Sequence, residues 1–149
     1  MTFPTLTRAA GALTLCAGLA APAAHADTWT FDEKLTAPDG AADDQFGISV
    51  ALSGGTALVG ARFDDDNGPN SGSASLFDTA TGAQLQKLTA TDGAEFDQFG
   101  ISVALSGGTA LVGAGRDDDN GVVSGSAYLF DTGTGAQLQK LTATDGAEF

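Results

Sequence analysis

The sequence predicts an all-β chain assembled from four-stranded antiparallel units. Three observations carry this reading: a long internal repeat, short runs that alternate apolar with small or polar residues, and glycine-rich turns between the runs. Glycine fills 21 of 149 positions, about double the usual share. Hydrophobic residues still make up 42%, which favours a packed, turn-rich chain over a disordered one.

The repeat organises the chain. Residues 34–86 align with 87–139 without a gap, and 44 of the 53 positions are identical. The nine differing positions are 38, 42, 43, 62, 63, 69, 70, 75 and 80 of the first copy. A third copy starts at Lys140 and follows the second residue for residue as far as Phe149. The expectation is two whole units, a leading piece and a partial unit, as in a segment of a longer reading frame.

Within a unit, residues 46–53 place Ile48, Val50 and Leu52 on one face and Ser49, Ala51 and Ser53 on the other. Gly54 and Gly55 then form a tight hairpin, since both central positions of such a turn need positive φ. Residues 56–61 form a second strand, 62–71 a loop, 72–78 a third strand, and 79–82 a turn with Gly82 left-handed. The fourth strand is 83–89, where Leu85 and Leu88 break the alternation and predict a bulge or an edge. The second unit repeats this at 99–106, 109–114, 125–131 and 136–142, and residues 29–36 match a fourth strand. Four hairpin-linked strands in about 50 residues make a blade of β-propeller type, here in an incomplete ring. A two-layer sandwich and a solenoid are the competing architectures, and solenoid coils are shorter.

Residues 1–26 read as a secretory signal peptide, leaving 27–149 as the repeat region. Arg8 closes a short basic start, residues 9–21 are uncharged and apolar, and Ala24-His25-Ala26 is a cleavage signature after Pro22. The apolar run is too short to span a bilayer, which takes about 20 residues. Cys16 follows the bulky Leu15, unlike a lipid-attachment cysteine. The expected location is secreted, periplasmic or at the cell surface, after cleavage near Ala26.

Charge and composition exclude whole classes of chemistry. With 19 acidic and 6 basic residues the net charge is −13, against nucleic acid or anionic lipid as partners. Loss of residues 1–26 removes the single Cys, His and Met and leaves five basic against 19 acidic residues, a formal charge of −14. Disulfides, Ser-His-Asp or Cys-His nucleophiles and the usual zinc or copper ligands are then absent from the remaining sequence. Two nearly identical units present the same groups twice, whereas a catalytic site needs distinct groups in one place. The reading is therefore not an enzyme.

The run from Phe46-Gly47 to Gly60-Ala61, followed by Ser71 to Phe77, resembles an FG-GAP repeat, as does Phe99-Gly100 to Gly113-Ala114 with Ser124 to Phe130. The resemblance covers residues 34–149. It implies a β-propeller of the integrin α-subunit type, found also in exported bacterial proteins, with a role in extracellular binding or cell adhesion. In the integrin-type repeat a calcium loop follows the Phe-Gly strand. Here that place holds Ser53 to Thr56 without a carboxylate, so the family's calcium site does not carry over. The proline after Gly-Ala is also replaced, by Arg62 and Gly115, which matches a shorter bacterial variant.

The candidate metal site is a different loop. Asp64, Asp66 and Asn67, repeated as Asp117, Asp119 and Asn120, offer several oxygens to a calcium ion. The competing reading is a solvated turn, because Asp-Asn-Gly favours local capping and left-handed backbone. No other cofactor is expected. Asp39-Gly40 with Asp43 and Asp44, and Asp92-Gly93 with Asp97, read as turns. Trp29 and Tyr128 read as packing residues before sugar platforms, and Phe46 and Phe99 as core anchors.

Three functions remain open at this point. The first is a secreted non-catalytic binding or adhesion module for an extracellular protein or carbohydrate. The others are an N-terminal repeat fragment of a larger exported enzyme or surface protein, and a calcium-dependent structural repeat. Two blades do not close a ring. The unpaired faces are expected to carry Ile48, Val50 and Leu52 at one end and Leu129 and Phe130 at the other, making a homo-oligomer through exposed blade faces a further expectation.

Overall fold

Eight strands follow the repeat: β1 (Ser49–Ser53), β2 (Thr56–Ala61), β3 (Ser73–Asp78), β4 (Gln84–Leu88), β5 (Phe99–Ser106), β6 (Thr109–Ala114), β7 (Ser126–Asp131) and β8 (Gln137–Thr142). They belong to a computed structural model that describes residues 34–144, all within one compact unit spanning Asp32–Phe149. The segment read as a signal peptide, Trp29 and the end of the third copy lie outside the described residues. The strands form two four-stranded antiparallel meanders, β1-β2-β3-β4 and β5-β6-β7-β8, with no helix among the described residues. The described residues are thus all-β, forming two propeller-type blades.

Local sequence sets the register. Ser53 pairs with Thr56 across Gly54 and Gly55, whose φ values of 57° and 82° fit the tight hairpin. On the β3–β4 ladder Leu76 pairs with Gln86 and Phe77 with Gln84, so Leu85 is the extra residue of a bulge. Leu138 is its counterpart in the second blade, and the two leucines are turned outward, 47% and 59% exposed. The Asp78 carboxylate accepts from the backbone of Ala80 and Thr81 and from the Thr81 hydroxyl, closing the turn that ends at left-handed Gly82.

The first strand differs between the copies. β5 starts at Phe99 as expected, whereas β1 starts only at Ser49. The reason is a neighbour: the Phe99 amide donates to Ser71 O at 2.9 Å, and Gly72 bridges Phe99 in parallel, extending the strand against the first blade. No such partner lies beside Phe46 among the described residues.

The larger core lies between the sheets. Leu58, Ala74, Leu76 and Leu88 of the first blade meet Phe99, Ala110, Val112, Tyr128 and Phe130 of the second. Phe99 sits at the centre, edge-on to Tyr128 at 5.5 Å and to Phe130 at 5.8 Å. A smaller cluster of Ala57, Val59 and Phe77, with Leu35 and Phe46 against it, lies on the opposite face of the first sheet. Phe99 is a buried core anchor, while Phe46 is only half-buried.

One expected face needs correction. Phe130 is sealed in the core at 1% exposure, so the outer face of the second sheet carries Leu129 with Leu111 instead. Neighbours on a strand point to opposite sides, so Leu129 and Phe130 cannot share a face. Ile48, Val50 and Leu52 do lie open at the other end, at 44%, 68% and 74% exposure.

Candidate functional site

The acidic loop after β2 folds on itself. The Asp64 carboxylate accepts from the Asp66 amide at 3.0 Å, and the Asp65 carboxylate accepts from the Asn70 amide at 2.7 Å. Asp64 O accepts the Gly72 amide at 2.8 Å and the Ser71 hydroxyl at 3.3 Å. These bonds tuck Asp64 inward to 5% exposure and leave Asp65 and Asp66 at the surface. In the second copy the Asp117 carboxylate accepts from the Asp119 amide at 3.2 Å.

A lysine fills the centre of each loop. Lys87, on β4 opposite Ser75, brings Nζ to 2.7 Å from Asp39, 2.9 Å from Asp64 and 2.5 Å from Asp66. Lys140, on β8 opposite Tyr128, stands 2.9 Å from both Asp92 and Asp117 and pairs with Asp119. Three carboxylates thus converge on one ammonium in each blade, offsetting the repulsion among three like charges. Burial works against the charge on both lysines, yet the hydrogen bonds they donate to the carboxylates hold them protonated well above the ordinary lysine range.

The carboxylates respond in turn. The Lys87 hydrogen bond holds Asp39 below the usual carboxylate range. Burial pushes Asp92 and Asp117 up, but Lys140 and the Tyr128 hydroxyl outweigh it and both end lower than usual. Tyr128 replaces Ser75 of the first blade and gives the second cluster an extra member. Its hydroxyl donates to Asp117 at 2.6 Å, and burial followed by that bond raises the phenol above its ordinary range. The buried tyrosine is a packing residue, as its sequence context suggested.

Of the six residues singled out for calcium, four come together by pairs. Asp64 and Asp66 meet on Lys87, and Asp117 and Asp119 meet on Lys140. Asn67 and Asn120 turn away, donating from Nδ2 to Ala90 O and Ala143 O. What the sequence reading missed are the two lysines and their third partners, Asp39 and Asp92, which had been read only as turn residues. The signal was available: all three lysines of the chain, Lys34, Lys87 and Lys140, occupy one repeat position. Asp44 and Asp97 close turns, accepting from the amides of Ala41 and Ala94 at 2.6 and 2.7 Å.

The positions that differ between copies gather beside these clusters. The loop before each first strand and the loop after each second strand share one rim. The Phe63 amide donates to Asp44 O at 3.2 Å, and Arg62 Nε donates to Gln45 at 2.8 Å. Between blades, the Phe96 amide donates to Pro69 O at 2.8 Å. Phe96, Val122 and Val123 are open to solvent on this rim, 52%, 64% and 53% exposed. Six of the nine differing positions of the first copy, 42, 43, 62, 63, 69 and 70, lie there.

The FG-GAP repeat family model matches residues 29–77 and 83–130, most of the chain. The chain belongs to the FG-GAP repeat family. Both matches span a Phe-Gly opening, a Gly-Gly hairpin and a third strand, the parts that build β1 to β3 and β5 to β7. A search of the curated proteins finds no match. Among solved structures the fold is similar to the computationally designed Ika4 protein, at 18% identity and a TM-score of 0.50, over 78% of this chain. The chain spans 59% of the length of Ika4. The computationally designed Ika8 protein aligns more loosely, at 16% identity and a TM-score of 0.34, over 64% of this chain and 36% of that one.

Proposed function

We propose that this FG-GAP chain is an exported, non-catalytic recognition module that meets an extracellular protein or carbohydrate through the rim carrying its copy-specific residues. The supporting observation is the separation of duties within one repeat. Positions that are mostly identical supply the strands, the hairpins and the Lys–Asp clusters, Ser75/Tyr128 and Ala80/Gly133 being exceptions, and six of the nine differing ones concentrate in two adjoining loops with Phe96, Val122 and Val123 exposed. Variable loops on a fixed scaffold are the usual arrangement of a binding surface. Exposed aromatic and aliphatic side chains there supply contact area of the kind that anchors interfaces. In this reading the carboxylates are structural, since the three of each blade already share a lysine.

The test is a loop graft. The second blade receives the rim residues of the first, through E95A, F96D, G115R, R116F, V122P and V123N, and is compared with the parent chain on arrays of glycans and of cell-surface proteins. The reading expects a ligand bound by the parent and lost by the graft, with the thermal transition kept. Equal binding by both, or binding by neither, contradicts it.

A further inference from the structure

The two open ends of the blade pair are copies of the two surfaces that already meet inside the chain. At the internal contact, Leu58 and Leu76 of the first sheet are fully buried against the second. Their counterparts Leu111 and Leu129 face outward, with Leu111 at 36% exposure. On the opposing side Val103 and Leu105 pack into the core, whereas their counterparts Val50 and Leu52 stand open.

Polar and steric details repeat the pattern. Ser49 Oγ donates to Gly100 O at 2.7 Å, across a junction where a side chain on Gly60 would collide with that carbonyl. The counterparts Ser102, Gly113 and Gly47 are present, yet among the described residues no backbone stands within 4 Å of the place a Gly47 side chain would take. The amides of Gln98 and Phe99 donate to Asn70 O and Ser71 O at 3.1 and 2.9 Å. Gln45 and Phe46 find no such acceptors among the described residues, and Val123 O and Ser124 O no such donors.

We propose that the outer face of the second blade docks onto the outer face of the first blade in another copy of this chain, head to tail. The occupant is a second copy because the internal interface shows the same two surfaces joined. Of the positions that build that contact, those on the sheet faces are identical between copies except Ser75 and Tyr128. In the docked pair, Leu111 and Leu129 cover Val50 and Leu52 of the next copy, and Ser102 Oγ donates to its Gly47 carbonyl. The contact is heterologous, so repetition closes a ring or runs on.

Sedimentation velocity on the purified full chain tests this with face-blocking variants. The parent is expected to sediment in multiples of the chain mass, increasingly so as salt screens the repulsion between acidic copies. V50K blocks one face and L111K the other; each alone is expected to be monomeric, and their equimolar mixture to form a dimer and nothing larger. A104E, on an exposed position of the second face, replaces L111K if that variant loses its cooperative thermal transition. A parent chain that stays monomeric at every concentration overturns the proposal. So does self-association of either blocked variant alone, which would place the contact elsewhere or make it two-fold.

Discussion

Lys87 Nζ and the Asp64 carboxylate lie 2.9 Å apart although 23 residues separate them, and Lys140 and Asp117 repeat the contact at the same distance. The contact ties the loop after the second strand to the fourth strand of its blade, and Asp39 or Asp92 adds the loop that precedes the first strand. A blade that is otherwise a plain meander thereby gains a clasp across one end.

Stability is expected to fall in acid and stay level through neutral pH. Asp39, Asp92 and Asp117 titrate below their ordinary range in the folded chain, so their contribution is present above the unfolded-state value of about 3.9 and fades as pH drops through the folded values. Both lysines titrate above their ordinary range, so their contribution holds up to about 10.4 and declines only in stronger alkali. Asp97 acts with the opposite sign, since burial raises it and its ionisation costs stability. Urea midpoints from pH 2 to 9 should show a plateau above about pH 5 and a steep loss below about pH 4.

Tyr128→Phe should destabilise the chain by about 1.5–3 kcal/mol, the usual worth of a hydrogen bond to a charged group. The ring still fills the core against Phe99, so the loss isolates the 2.6 Å bond to Asp117. Denaturant unfolding measures it, and a change under about 0.5 kcal/mol would mean the hydroxyl is not engaged.

Val123→Asn should be stabilising. Val123 has φ of 54°, a left-handed backbone that a β-branched side chain resists, and the first copy places Asn70 at the same angle. Relief of that strain is worth about 1 kcal/mol, read as a rise in Tm. The exposed position makes loss of packing a minor offset.

Phe99→Ala should cost about 3–5 kcal/mol, because the ring is buried between the sheets with aromatic neighbours on two sides. Equilibrium unfolding in urea checks the figure.

Much of the fold was legible because side chains on a strand alternate and the repeat printed the pattern twice. The strand limits of the second blade, the Gly54-Gly55 hairpin and the bulge at Leu85 all follow from local rules. Phe130 was misplaced by reading two adjacent apolar residues as one face, against the pleat. The Lys–Asp clusters were missed for a different reason. Lys87 was expected on the fourth strand, 83–89, where it lies, but a strand position does not say which loops a long side chain reaches. The contact is long-range, and nothing local announces it.

The claim that each blade closes its acidic loop with its own lysine is tested most directly by a double-mutant cycle between Lys140 and Asp117. Asp117 is buried at 2% exposure, so K140M leaves an unpaired buried charge and should cost about 3–5 kcal/mol. Adding D117N should recover part of that loss, giving a coupling energy of about 2 kcal/mol in urea unfolding. Additive effects, with a coupling below about 0.5 kcal/mol, would contradict the clasp and leave the carboxylates free for another role.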